Sequence, residues 1–319
     1  MRKTPALLAV LGLSALALTG CASAGLDSCD RVEAAGVDMS SIVTVDGEFG
    51  TMPGASVFAP FHIDETSWVD VSDGEGEGLV TPAQLLVLDA TMYAGSTGEQ
   101  LATSAYDGSY SSVYSWQTWI NAMPGLEDAL ACATPGTRIV VGLPAGEIDP
   151  DYAATVGLGA DESAVLVVDI QKVYLSKANG ADQFTDSNGL PSVVRAPDGR
   201  PGVVIPDIAA PTDLVVQVIK KGDGAVVTAD DAVRVHYTGL LWDTGEVFDT
   251  SWDGDPVSMT LDGVIDGFAQ ALDGQTVGSQ ILVVIPPELG YGDTASGSIP
   301  AGSTLVFVID ILGIDGVAS

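Results

Sequence analysis

Basic residues are scarce in this chain: 11 Lys and Arg stand against 43 Asp and Glu, a formal charge of −32. So acidic a bulk surface excludes binding to nucleic acid or to anionic lipid headgroups. Cysteine (three) and histidine (two) are also scarce. No CxxC pair occurs and no His lies near a Cys, so neither a zinc site nor a redox centre is indicated. Carboxylates abound, but the run Asp70-Val-Ser-Asp-Gly-Glu-Gly-Glu-Gly lacks EF-hand spacing and reads as a solvated loop.

The opening segment MRKTPALLAVLGLSALALTGC has a basic start and then a short apolar run, too short for a permanent membrane span. Residues 1–20 read as a signal peptide. Leu18-Thr19-Gly20-Cys21 is similar to the lipobox of bacterial lipoproteins, which favours lipidation of Cys21 over cleavage after Ala22 or Ala24. The expected location is the outer face of the bacterial cytoplasmic membrane, with the lipid as the only membrane contact. Loss of Arg2 and Lys3 leaves nine basic residues and a formal charge of −34. Six of those nine fall between residues 172 and 221, so the middle of the chain is less acidic. Cys29 and Cys132 remain as an even pair in an oxidising compartment, which favours a structural disulfide over two free thiols.

An internal repeat organises the rest. LLVLDATMYAGSTGEQLATS (85–104) parallels VRVHYTGLLWDTGEVFDTS (233–251), MPGLEDALACATPGTRIVVGLP (123–144) parallels IDGFAQALDGQTVGSQILVVIP (265–286), and VLVVDI (165–170) parallels VFVIDI (306–311). The shift drifts from 147 to 142 to 141, as loop insertions between equivalent strands would produce. Segments rich in Val, Ile, Thr and aromatics, bounded by Gly, Asp and Pro, read as strands. In the second copy Ile265, Phe268, Ala269 and Leu272 form one stripe of a short helix. Met123, Leu126 and Leu130 repeat that stripe in the first, with Pro124 placed for a first helical turn. The expectation is an α+β fold of two similar domains, each a twisted antiparallel sheet around one short helix. Residues 21–52 read as a tether and leading strand, 53–175 as the first domain, and 214–319 as the second. Residues 176–213, rich in Gly, Pro, Asp and Asn, read as a linker with one short strand.

From about residue 214 to 315 the second copy resembles the FKBP family, the macrolide-binding peptidyl-prolyl isomerases. VHYTGLL…TGEVFDTS, GVIDGFAQAL, PPELGYG and IPAGSTLVFVIDIL carry the resemblance jointly. It implies a shallow apolar pocket between sheet and helix. The site residues it implies are Tyr237, Phe248, Asp249, Ile265, Phe268, Tyr291 and Phe307, with Val257, Val264 and Ile299 contacting substrate. Phe268 stands where the family often has Trp, Val257 where an aromatic wall residue is common, and Ser296 near the place of a frequent His. The resemblance further implies no cofactor and no metal, proline-containing unfolded or partly folded exported polypeptides as substrates, and macrolides of the FKBP-ligand type as inhibitors.

Taken singly, these phenylalanines could be core, Asp249 a strand-end carboxylate and the tyrosines ordinary half-buried residues. Their joint occurrence in family order separates the readings. His236 alternates to the face opposite Tyr237 and reads as structural. In the first copy Ala90, Leu101, Ala102 and Leu126 replace Tyr237, Phe248, Asp249 and Phe268, and no GYG aligns. That copy is expected to keep the fold without isomerase activity. The aromatics of YDGSYSSVYSWQTW (106–119) fit either client binding or a loop packed on its own domain. A non-catalytic module that uses both domains to hold clients is the alternative function.

Overall fold

The computed structural model describes residues 29, 31–32, 36–109, 112–184 and 189–317. The expected signal segment and Cys21 lie outside them. A hairpin of β1 (Val43–Asp46) and β2 (Gly54–Val57) leads into β3 (Ser67–Ser72), β4 (Leu85–Ala94), β5 (Gln100–Thr103) and β6 (Tyr114–Ser115). Helices α1 (Trp116–Ala122) and α2 (Leu126–Leu130), strand β7 (Arg138–Leu143), helix α3 (Pro150–Val156) and strand β8 (Ala164–Val173) complete a first unit. The second comprises β9 (Ala181–Asp182), the hairpin β10 (Ser192–Arg195) and β11 (Pro201–Val204), β12 (Val215–Lys221), β13 (Asp231–Leu241), β14 (Val247–Thr250), β15 (Val257–Thr260), α4 (Asp266–Leu272), β16 (Gln280–Ile285) and β17 (Leu305–Val317). The fold is α+β.

The repeat reappears as topology. The first sheet is ordered β3-β7-β8-β4-β5 and the second contains β12-β16-β17-β13-β14, the same order with every pairing antiparallel. Side chains alternate across these strands. In β17, Leu305, Phe307, Ile309 and Ile311 join the core on the helix side, whereas Val306 and Val308 join a second core behind the sheet. In β8, Leu166, Val168 and Ile170 face one core, and Val165 and Val167 the other. Central strands that are apolar on both faces need cover on both.

That cover corrects the linker reading of residues 176–213. The stretch is part of the second unit. Strand β9 pairs with Lys220 and Lys221 of β12, and the β10–β11 hairpin lays Val193 and Val203 on Ile219, Leu240, Trp242, Leu282 and Val284. Gly199 takes the positive φ of +102° that the hairpin turn requires, and the Trp242 indole N–H donates to the Ile208 carbonyl at 3.1 Å. The β1–β2 hairpin covers the first sheet in the same way, through Val43, Val45, Ala55 and Val57.

A matched pair of strand positions fixes each cover. Arg138 lies in register with Asp169, and Gln280 with Asp310. The Arg138 guanidinium is bidentate on Asp169 at 2.6 and 2.7 Å and donates to the carbonyls of Gly47, Glu48 and Thr51, while Gly50 N–H donates to Asp169. In the second unit Asp310 accepts from Gln280 and from the Ala178 N–H, and Arg195 of the hairpin donates to Gln280 at 2.6 Å. The cation has moved from the sheet to the cover. Its partner has stayed in place.

Two buried groups behind the second sheet titrate in opposite senses. Burial pushes the imidazole of His236, stacked on Trp252 with ring centroids 4.2 Å apart, down from 6.5 to about 4. Burial pushes the Asp310 carboxyl up from 3.8 to about 6, against the N–H donors that hold its charged form. Between about pH 6.5 and 4 the unfolded chain protonates His236 before the folded one does, so this group destabilises the fold as pH falls. Asp310 does the reverse between about 6 and 3.8, because the folded chain takes the proton first. Asp310→Asn removes the compensating half. Unfolding free energies of that variant from urea titrations are expected to fall from pH 6 to 4 with a slope approaching about 1.4 kcal/mol per pH unit, steeper than in the parent.

Other expectations need adjustment. Asp70 is not in a solvated loop; it lies in β3 and pairs with Arg31, which also donates to the carbonyls of Ala129 and Ala131. Helix α2 begins at Leu126, so Pro124 precedes its first turn. The stretch 106–119 is not simply an exposed aromatic loop, because Trp116 opens α1 within the core and donates its indole N–H to the Leu126 carbonyl. Cys29 and Cys132 are joined as a disulfide that closes a loop spanning 103 positions.

The units meet through the end of β8. Tyr174 is fully buried, its ring against the bare Cα of Gly313, and its hydroxyl donates to Asp315 at 2.6 Å. Asp315 also pairs with Arg234 at 2.8 Å and accepts from Ser258 of β15. The Leu175 N–H donates to the Leu312 carbonyl at 3.1 Å, and the Lys172 ammonium donates to that of Ile314.

Candidate active site

On the helix side of the second sheet four aromatic rings converge. Phe307 lies 5.2 Å from Phe268, 5.6 Å from Phe248 and 6.2 Å from Tyr237, and Tyr237 lies 6.2 Å from Phe268. Three of these pairs are edge-to-face, the arrangement that the ring quadrupole favours. Phe268 and Phe307 are buried, and Tyr237 and Phe248 half-buried, so the group has a floor and a partly open wall.

Two local features of the backbone assemble it. The register between β13 and β14 slips after Gly239↔Asp249, with Leu240 opposite Val247, so Phe248 is the extra residue of a bulge. In a regular strand Phe248 and Asp249 would point to opposite faces; a bulge re-aims side chains. Here Phe248 meets Phe307 while Asp249 accepts a hydrogen bond from the Tyr237 hydroxyl. The second feature is Gly239, in register with both Asp249 and Phe307. A Cβ at Gly239 would lie 2.7 Å from Phe248 and 2.8 Å from Phe307, so the rings occupy the space that a side chain would take. Sequence reasoning passed over Gly239, although a glycine inside an otherwise regular strand marks close approach.

The remaining expected residues distribute as follows. Val264 and Ile265 lead into α4, half-buried against the same core, and Ile299 is buried beside them. The Ile265 carbonyl accepts from the N–H groups of Phe268 and Ala269. Its own N–H has no acceptor among the described residues, which leaves a donor at the helix start. Tyr291 follows the 3-10 turn Pro287–Leu289 and is exposed. The Tyr237 hydroxyl is driven well above the ordinary tyrosine range by burial first, then by the bond to Asp249 and the Asp249 charge. Tyr237 therefore stays protonated as a donor. Ser296 is half-buried and exchanges backbone hydrogen bonds with Ile299 at 2.9 Å. Val257 stands apart, exposed on β15 in register with Val235 and outside the ring cluster. His236 lies behind the sheet, within 2.9 Å of the Ser251 hydroxyl, as the alternation of β13 requires.

The first unit keeps the frame and fills the hollow. The same slip occurs between β4 and β5, where Ala102 is opposite Met92 and Gln100 opposite Tyr93, so Leu101 is the bulged residue. Met92 occupies the position of Gly239, in register with Ala102 and Leu166, and is buried in the core. The space that holds rings in the second unit holds a thioether chain in the first. Leu126 takes the helix position of Phe268. Tyr152, in α3, sits in the same strand connection as Tyr291, with its hydroxyl pushed upward by burial.

A helix cradled by an antiparallel sheet, with a partly exposed cluster of aromatic rings at the junction, presents a small apolar surface beside the Tyr237–Asp249 hydrogen bond. Sequence comparison supplies the family. A profile described as FKBP-type peptidyl-prolyl cis-trans isomerase matches residues 224–312. A probable FK506-binding protein of Corynebacterium glutamicum is 41% identical over 114 residues, covering 35% of this chain and 97% of that protein. An FK506-binding protein of Streptomyces anulatus is 40% identical over 120 residues, 36% of this chain and 97% of its own length. The FKBP-type peptidyl-prolyl cis-trans isomerase FkpA of Escherichia coli is 44% identical over 104 residues, 32% of this chain and 38% of that protein. The chain belongs to the FKBP-type peptidyl-prolyl isomerase family.

Proposed function

We propose that the hollow of the second unit is the isomerase site, and that it acts on X-Pro bonds of exported polypeptides at the outer face of the cytoplasmic membrane, to which lipid on Cys21 holds the chain. The observation that carries this reading is the convergence of Tyr237, Phe248, Phe268 and Phe307 beside the Tyr237–Asp249 hydrogen bond.

Turning a prolyl amide sacrifices its resonance, against a barrier of about 18–20 kcal/mol, and uncatalysed exchange takes tens of seconds. No bond is made or broken, so the reaction asks for no nucleophile. The half-turned amide has less charge separation than the planar one, and a dry apolar wall favours it relative to water. The four rings with Ile265 and Ile299 form that wall and grip the pyrrolidine. The Ile265 N–H and the Tyr291 hydroxyl are the donors that fix the flanking carbonyls, and Asp249 presents its carboxylate to the amide. Macrolides of the FKBP-ligand type would compete for the same wall. The first unit, with Met92, Leu101 and Ala102 in these places, is proposed to be inactive.

The test is a refolding reaction limited by proline isomerisation, run with the full chain. Asp249→Val and Phe248→Ala are each expected to lower kcat/KM about tenfold or more, the equivalent of about 1.4 kcal/mol or more of transition-state stabilisation. Acceleration by the variants equal to that of the parent would overturn the assignment. Cys21→Ser should move the protein from the membrane fraction to the soluble one.

A further inference from the structure

The charges of the second unit are sorted by face. Residues 235–319 contain twelve acidic residues and no Lys or Arg. Of the six cations between residues 176 and 234, five are engaged elsewhere, and Lys221 lies on β12, towards the opposite edge of the sheet from β14. Lys177, Arg195 and Lys220 line a cavity behind the sheet together with Gln280 and Asp310. Arg200 pairs with Asp253 at 2.6 Å, and Arg234 with Asp315 at the contact between units.

Around the hollow the opposite holds. Asp262 and Asp266 bracket Val264 and Ile265, Glu288 and Asp293 bracket Tyr291, and Asp249 touches Tyr237. All five are exposed, and none forms an ion pair among the described residues. The rings fill the hollow with apolar surface, and these carboxylates set the field at its mouth.

We infer that this rim selects substrates by charge: the site prefers prolyl bonds flanked by Lys or Arg and disfavours those flanked by Asp or Glu. The inference rests on the isomerase reading of the hollow. An extended peptide advances about 3.3 Å per residue, so side chains within three positions of the proline stay within about 10 Å of the bond being turned. That is about one Debye length at 0.1 M salt, so several unpaired carboxylates act together on such a side chain. Complementary fields of this kind govern encounter and partner choice more than the strength of the docked contact. The preference should therefore be carried by kcat/KM and weaken with salt.

Three octapeptides with a shared central Leu-Pro and either Lys, Gln or Glu at the two positions on each side test this with the full chain. In about 20 mM salt the Lys peptide is expected to exceed the Glu peptide roughly tenfold in kcat/KM, with the Gln peptide between. In about 0.5 M salt the gap should close to within about twofold. The triple variant Asp262→Asn, Asp266→Asn, Asp293→Asn leaves Tyr237, Asp249 and the rings in place. It should turn over the Gln peptide like the parent while losing most of the Lys-over-Glu preference. Equal rates for Lys and Glu peptides in the parent, with the Gln peptide turned over, would overturn the inference and leave the isomerase reading standing. A Lys preference that survives both high salt and the triple variant would overturn the assignment to this rim. Turnover of none of the three would sink the isomerase reading and this inference with it.

Discussion

Arg138→Ala is expected to lower the stability of the first unit by about 3–5 kcal/mol, the usual result of stranding one member of a buried ion pair. Both side chains are almost wholly buried, at 3% and 0% exposure. Removal of the guanidinium leaves Asp169 charged behind the sheet with only the Gly50 N–H, and it frees the carbonyls of Gly47, Glu48 and Thr51 that anchor the β1–β2 turn. The hairpin should then lift before the sheet melts. Urea unfolding followed by hydrogen exchange would show early loss of protection at Val43–Asp46. The activity proposed for the second unit should be unchanged, because its cover is held by Arg195, Gln280 and Asp310. Replacing both partners by apolar residues should cost less than the single change, since no charge is then left alone.

Tyr174→Ala is the second large effect. The ring is fully buried between the units, and deleting so large an aromatic costs about 3–5 kcal/mol when the cavity does not collapse. The hydroxyl is one of three donors on Asp315, with Arg234 and Ser258. Tyr174→Phe keeps the packing and loses one hydrogen bond to a charged group, about 1.5–3 kcal/mol. Calorimetry distinguishes the two changes. The alanine variant should show two separated transitions where the parent shows stronger coupling, and the phenylalanine variant a single transition at lower temperature.

Much of the second unit was legible from residue pattern. The Ile265, Phe268, Leu272 stripe became α4, and the alternation of HYTG put His236 and Tyr237 on opposite faces. The site residues were named by resemblance; Tyr237, Phe248, Asp249, Phe268 and Phe307 touch one another, Val264, Ile265 and Ile299 pack on the same core, and Tyr291 and Val257 are exposed. Three things were not legible, each for a physical reason. The bulge at Phe248 is a property of pairing between strands, and no single strand announces it. The exchange of Gly239 for Met92 hides in a position that looks like ordinary strand, though it decides whether rings or a thioether occupy the space. The hairpin at residues 192–204 was masked by its own turn, since Pro197, Asp198 and Gly199 give it the composition of a connector. The clue lay in β16, whose run Ile281–Ile285 has no polar face and so requires burial on both sides.

The cover behind each sheet also determines where the polypeptide can be cut. A fragment beginning at residue 214 would discard Leu190, Val193, Val203 and Ile205 and leave Leu240, Trp242, Leu282 and Val306 bare to water. Such a piece would clump for reasons unrelated to catalysis, and its failure in an assay would be misread. A fragment starting near Ser176, where the supposed spacer begins, would keep that cover.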